Sequence, residues 1–178
     1  MHSFEDFEIS FSSEHEIFGL CDHENNEEYA YLDEENGITW IATVHNVHQE
    51  EVCFYPIDHC DLIPPLAKGR DSKQCDGLLK FTDSIAFVEL KNRKGNKASS
   101  WIPEAEEQLK VTIAYFMQFG FIAERRNKNA YIVNKQRPRA HSSQVIRSAK
   151  FEEETGFLLK IKANIYTDEH LNRERRKV

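Results

Sequence analysis

Residues 75–91 (CDGLLKFTDSIAFVELK) hold two short apolar runs, 75–81 and 85–91, split by the polar triplet Thr82-Asp83-Ser84, and this spacing predicts a β-hairpin. Side chains alternate across a strand, so Ala86, Val88 and Leu90 share one face of the second run while Ile85, Phe87, Glu89 and Lys91 share the other. Both faces are apolar until Glu89. The run therefore reads as a central strand covered on both sides, with its charged end opening into a cleft.

The length suits one such core: 178 residues, 40% of them hydrophobic, are enough for a single domain and short for two. No apolar run approaches the about 18 residues of a membrane helix, and Met1-His2-Ser3-Phe4-Glu5-Asp6 lacks the features of a secretion signal. The expectation is a cytoplasmic protein. The four cysteines (Cys21, Cys53, Cys60, Cys75) are spaced 32, 7 and 15 positions apart without a C-x-x-C pair, which predicts reduced, mostly buried thiols. His45, His48 and His59 lie in the same stretch as Cys53 and Cys60, but histidines carried on strands read as polar-network or surface groups before they read as metal ligands.

Charge divides the chain more sharply than its net value of −7 suggests. Residues 1–67 carry 16 acidic side chains and no Lys or Arg, whereas residues 68–178 carry 23 basic and 14 acidic ones. Phosphate affinity follows clustered cations, so only the second part can attract a nucleic acid. The acidic part reads as a solvated surface or, alternatively, as a segment packed beside the basic face. It also offers itself to a basic protein partner.

Along the chain, Phe4, Phe7, Ile9 and Phe11 suggest a first strand, and Ser13-Glu14-His15-Glu16 fits a capping box for a short helical turn ended by Gly19. Residues 38–47 and 51–57 predict two strands joined as a hairpin. A helix is expected over about 101–118: Ser99 and Ser100 offer caps, Pro103 lies near its start, Ile102, Ala105, Leu109, Thr112, Ile113 and Phe116 recur at helical spacing, and Gly120 ends it. Then follow a strand over 121–124 or 131–134, or both as a hairpin, a helix near 143–155 ended by Gly156, a last strand over 157–165, and a charged tail from 168 to 178. Trp40 and Trp101 read as core residues. The order predicts a single α+β domain, with a mixed central β-sheet flanked by helices, built from an acidic strand-rich part (1–67), a core (68–167) and the tail.

Glu89 and Lys91 must project from one strand face, and a paired preceding strand brings Asp76 to the same place. Two neighbouring carboxylates repel unless a cation lies between them, and oxygen ligands of this kind suit Mg²⁺ or Mn²⁺. Asp76, then Glu89-Leu90-Lys91 at the end of an apolar strand, then a helix, resembles the PD-(D/E)XK nuclease superfamily with its restriction-endonuclease-like fold. The resemblance spans about residues 75–118. It implies a Mg²⁺-dependent endonuclease-like hydrolase acting on DNA, with Asp76 and Glu89 as metal ligands, Leu90 offering its carbonyl, Lys91 acting at the nucleophilic water and Gln108 in support. The family's usual proline before the first acid is replaced by Cys75, and the only candidate for its upstream helical acid is Glu16.

Arg93, Lys94 and Lys97 in the following loop would grip DNA phosphates in such an enzyme, and a homodimer would suit two-strand cutting. Two other readings stay open at this stage. One is a non-catalytic binding or inhibitor (immunity-type) module on the same fold; the other is a structural domain in which Asp76 is a turn acid and Glu89–Lys91 an exposed pair.

Overall fold

A computed structural model describes residues 3–23, 28–58, 60, 74–92, 98–122, 127–135 and 142–168. Among these residues ten strands form two mixed sheets, and two α-helices pack with them. The larger sheet has the order β1-β5-β6-β7-β8-β9, made of β1 (Phe11–Ser13), β5 (Val52–Pro56), β6 (Gly77–Phe81), β7 (Ser84–Lys91), β8 (Asn127–Asn134) and β9 (Leu158–Ile161). The smaller sheet has the order β10-β4-β2-β3, made of β10 (Asn164–Tyr166), β4 (Ala42–His45), β2 (Ile17–Cys21) and β3 (Tyr31–Asp33).

The hairpin at the centre forms as its sequence dictates. β6 and β7 pair antiparallel from Phe81↔Ser84 to Gly77↔Val88, so only Thr82 and Asp83 make the turn, with Thr82 at φ 38°. From Ser84 to Leu90 every β7 residue is buried. Its two faces feed two separate cores. Ile85 and Phe87 pack with Leu78, Ala130 and Ile132 against helix α1 (Ala98–Gln118) and helix α2 (Ser142–Thr155), through Ala105, Leu109, Phe116 and Phe151. Ala86, Val88 and Leu90 pack with Leu79, Tyr131 and Val133 against Phe18, Leu20, Val44 and Ile165 of the smaller sheet.

The layers are thus helices, large sheet, small sheet. One correction to the sequence expectation follows: helices cover a single face of the central sheet, and four short strands cover the other. The helices themselves lie where expected. After α1, Gly120 adopts φ 80°, and after α2, Gly156 adopts φ 73° with its amide bonded back to Glu152 O at 2.8 Å, which is the left-handed helix stop that glycine permits. β7, α1 and β8 form a parallel crossover, and β8, α2 and β9 repeat it one strand further out.

Four local expectations fail for identifiable reasons. Residues 4–6 form a short 3-10 turn, and the first strand is confined to Phe11–Ser13. The capping-box helix is absent: Ser13 Oγ accepts from the His15 amide at 3.0 Å in a local turn, and the chain then extends into β2. There Phe18 and Leu20 are fully buried at strand spacing, and Gly19 lies under the Trp40 ring, where a Cβ would come within 2.0 Å of Trp40 Cγ.

β4 and β5 are strands, but they do not form a hairpin. β4 pairs with β2 and β10 while β5 pairs with β1 and β6. Between them the fully buried Asn46 donates to Glu50 O at 2.8 Å and accepts from Glu50 N at 3.2 Å, turning the chain from one sheet to the other. The last strand is split for the same reason, since β9 extends the large sheet and β10 joins the small one. The acidic first part is accordingly woven into both sheets.

Candidate functional site

Asp76 lies one step beyond the Gly77–Val88 pair, which sets it opposite Glu89 in the antiparallel register. Its carboxylate accepts from the Leu90 amide, and its carbonyl accepts from Ile57 N at 3.0 Å. Gly77 beside it leaves room for Phe54, whose ring would be 2.3 Å from a Cβ at that position. Glu89 shares the helix side of the sheet with Phe87, and Lys91 follows two residues on. The Lys91 ammonium contacts Glu89 Oε1 and donates to Gln108 Oε1 of α1 at 3.3 Å. Gln108 in turn donates through Nε2 to Gln74 O at 3.0 Å.

The sequence-predicted group Asp76, Glu89, Leu90, Lys91 and Gln108 is therefore gathered at the carboxyl end of the central strand. That is where open sheets with parallel crossovers usually hold ligands. Two sequence expectations change. Glu16 is exposed and precedes β2, at the opposite end of that strand from Asp22, so it is not part of the group. Glu89 and Lys91 are not an exposed pair, because Glu89 is fully buried and Lys91 mostly so. Arg93, Lys94 and Lys97 lie outside the described residues.

Burial dominates the electrostatics. It pushes the Asp76 carboxyl well above the usual range, and the charge of Glu89 pushes it further. Burial also pushes Glu89 up to about 7, against the opposing pull of Lys91. Burial disfavours the Lys91 ammonium, yet the facing Glu89 outweighs this and holds its pKa above the ordinary value. The neighbouring Cys75 thiol, buried beside both acids, is held neutral. Apart from the Lys91 contact, neither carboxylate oxygen of Glu89 has a hydrogen-bond partner among the described residues.

Two acids near the group were not singled out from the sequence, and Thr112 was read only as part of the buried stripe of α1. Asp58 follows β5 and is pushed up to about 7, chiefly by burial and also by Asp22; its own charge opposes ionisation of Asp76 and Glu89. Its sequence signal is close to the one that marked Glu89, an acid at the end of an apolar run. Asp22, directly after β2, adds negative charge toward Glu89. Thr112, fully buried in α1, accepts from Cys75 N at 3.0 Å and donates to Gln108 O at 2.8 Å.

Elsewhere the polar residues have structural partners. His45 Nε2 meets Asn164 Oδ1 at 3.1 Å, His48 meets Asp168 at 3.1 Å, and Arg147 pairs with Glu106 between the helices. All four cysteines are free thiols, Cys21 and Cys75 buried and Cys53 and Cys60 partly so. Trp101 is core, whereas Trp40 is half-buried and donates to Asp33 Oδ2 at 2.6 Å. Among the described residues, no three His, Cys, Asp or Glu side chains are gathered closely enough to hold a metal ion by themselves. Among them, too, no helix is long and apolar enough to cross a membrane.

Fold and site together define a mixed α/β protein with two acids and a lysine at the carboxyl end of its central strand. No family model, curated protein or solved structure matches the chain.

Proposed function

We propose that this chain is a divalent-metal-dependent, nuclease-like hydrolase of DNA phosphodiester bonds, built on a restriction-endonuclease-like core. The observation that carries the reading is the buried Glu89 carboxylate, which among the described residues meets only the Lys91 ammonium and lies beside a second buried carboxylate. A buried charge is costly unless paired, so burial and the neighbouring Asp58 and Asp22 push Asp76 and Glu89 toward their protonated forms, and a bound divalent cation would let both ionise. A cation is what such an arrangement lacks. Two carboxylates fit Mg²⁺ or Mn²⁺, since Mg²⁺ keeps much of its water and takes only one or two carboxylates from a protein. Support for the core comes from its order: antiparallel β5-β6-β7, then α1, then β8 parallel to β7.

In this reading Asp76 and Glu89 supply anionic oxygens and the Leu90 carbonyl supplies a neutral one. An Mg²⁺ or Mn²⁺ ion held there would polarise a phosphoryl oxygen and lower the pKa of water. Lys91, steadied by Glu89 and Gln108, orients the attacking water and offsets charge developing on the phosphate. Gln108 touches Lys91 and acts in support. Arg93, Lys94 and Lys97 follow directly in sequence and would bind the DNA backbone.

The deciding experiment is plasmid nicking and oligonucleotide cleavage with Mg²⁺ or Mn²⁺, using wild type, Lys91→Ala and Asp76→Ala. Cleavage by wild type that both variants lose supports the enzyme, and no cleavage with either metal overturns it. One observation favours a second reading, a non-catalytic module that engages a basic protein: the acidic first part, without Lys or Arg through residue 67, forms strands of both sheets. Absent cleavage together with tight binding to a cationic protein would mark that case.

A further inference from the structure

Thr112 is polar, yet it occupies a fully buried position in the middle of α1, on the face that packs against β7 and β8. Valine would fill the same volume at no polar cost. A buried helical threonine commonly returns its proton to the carbonyl four residues back, as Thr112 does to Gln108 O at 2.8 Å. The helix alone does not account for the other half of the hydroxyl. It accepts from the Cys75 amide at 3.0 Å, while one turn earlier on the same helix face Gln108 Nε2 donates to Gln74 O at 3.0 Å.

The two side chains thus tie the backbone of residues 74 and 75 to α1, just ahead of Asp76. On the far side, Ile57 N holds the Asp76 carbonyl at 3.0 Å. Backbone held on both sides fixes where the Asp76 side chain starts, and from there its carboxylate meets the Leu90 amide, opposite Glu89. The same Gln108 accepts from Lys91 at 3.3 Å, so one helix face sets the spacing between the acid and the amine.

We infer that Thr112 is a positioning residue for the cation site: its hydroxyl anchors residues 74–76 on α1 and thereby aims the Asp76 carboxylate. The inference rests on the metal-dependent reading above for its purpose, while the anchoring itself can be measured separately. Outer-shell hydrogen-bond partners of this kind typically change metal affinity by about 10–100-fold when removed.

The test uses the full chain as wild type, Thr112→Val and Thr112→Ser. Mn²⁺ affinity is read from the EPR signal of free Mn²⁺, and amide hydrogen exchange at Leu90 is read by NMR with Phe87 of the same strand as internal reference. Thr112→Val is expected to weaken Mn²⁺ binding by about tenfold and to speed Leu90 exchange relative to Phe87, while Thr112→Ser restores both. Should the valine variant not fold, Thr112→Ala, which introduces no new bulk, takes its place. Unchanged Leu90 exchange in the folded variant overturns the inference whatever the metal does. Faster Leu90 exchange in a protein whose wild type binds no Mn²⁺ supports the anchor and overturns the metal reading instead.

Discussion

The two faces of the central sheet are equally dry along most of β7, and they part company only at its end. On the small-sheet side the strand stays apolar to Leu90, closed by Val133 and the strands of the acidic part. On the helix side the same strand gives way to Glu89 and Lys91, with Asp76 across from them and Gln108 above. A sheet needs such cover on both faces to be stable, but a polar group survives inside only where another element brings partners to it. α1 does so through Gln108 and Thr112, whereas the small sheet has apolar side chains at the equivalent depth. The acid–lysine cluster lies on one face because, among the described residues, that face has the helix whose polar side chains reach the strand ends.

The comparison can be broken by substituting each face in turn. On the helix side, Lys91→Ala is expected to cut Mg²⁺-dependent cleavage by about 100- to 1000-fold while thermal unfolding stays cooperative; cleavage at wild-type rates would show that the ammonium has no part in turnover. On the opposite face, Leu79→Ala removes a fully buried side chain and should cost roughly 2–5 kcal/mol of stability. Chemical denaturation measures this, and cleavage per folded molecule should be unchanged.

The buried acids supply a pH test of intermediate size. Glu89 titrates near 7 when folded and near 4.5 when unfolded, so the proton is held more tightly in the fold. The stability this contributes is complete below about pH 4.5 and is lost as pH rises through 7. The metal-free protein should therefore gain on the order of 3 kcal/mol between pH 8 and pH 5, and Asp58 adds to the trend with the same sign. Glu89→Gln should flatten the profile, as should saturating Mn²⁺ at the higher pH. A flat wild-type profile would mean that the acids are not held in this environment. The smallest effect is expected at Gly19→Ala, where the new methyl meets the Trp40 ring; overpacking of this kind costs roughly 1–3 kcal/mol and should leave cleavage intact.

How much of this was legible in the sequence depends on how far apart the partners lie. The β6–β7 hairpin, α1 and α2 were readable because alternation, helical spacing and the glycines at 120 and 156 are all local signals. Asp76, Glu89, Lys91 and Gln108 converge because a two-residue turn and the next helix bring them together. β4 and β5 looked like a hairpin since strands close in sequence usually pair, yet Asn46 sends them to different sheets. Ser13 and Glu16 matched a helix start, but burial of Phe18 and Leu20 decided for a strand. Asp58 escaped notice, and Thr112 was legible only as one position of the helix stripe, because their roles lie in contacts with distant residues, such as the Cys75 amide for Thr112.

The parallel pairing of β10 with β4 has a consequence for how the molecule is made. His45 and Asn164, which meet across that pair, are separated by 119 positions, so the edge strand that completes the smaller sheet waits for nearly all of the described chain to be synthesised. Until then Leu79, Val88 and the rest of that face have an incomplete cover, while the stretch from Gln74 to Thr112 can already assemble. During synthesis β2, β3 and β4 are thus at hand before the acid–lysine cluster can form, and the last piece of cover for the back of the sheet, with Ile165, arrives only with β10.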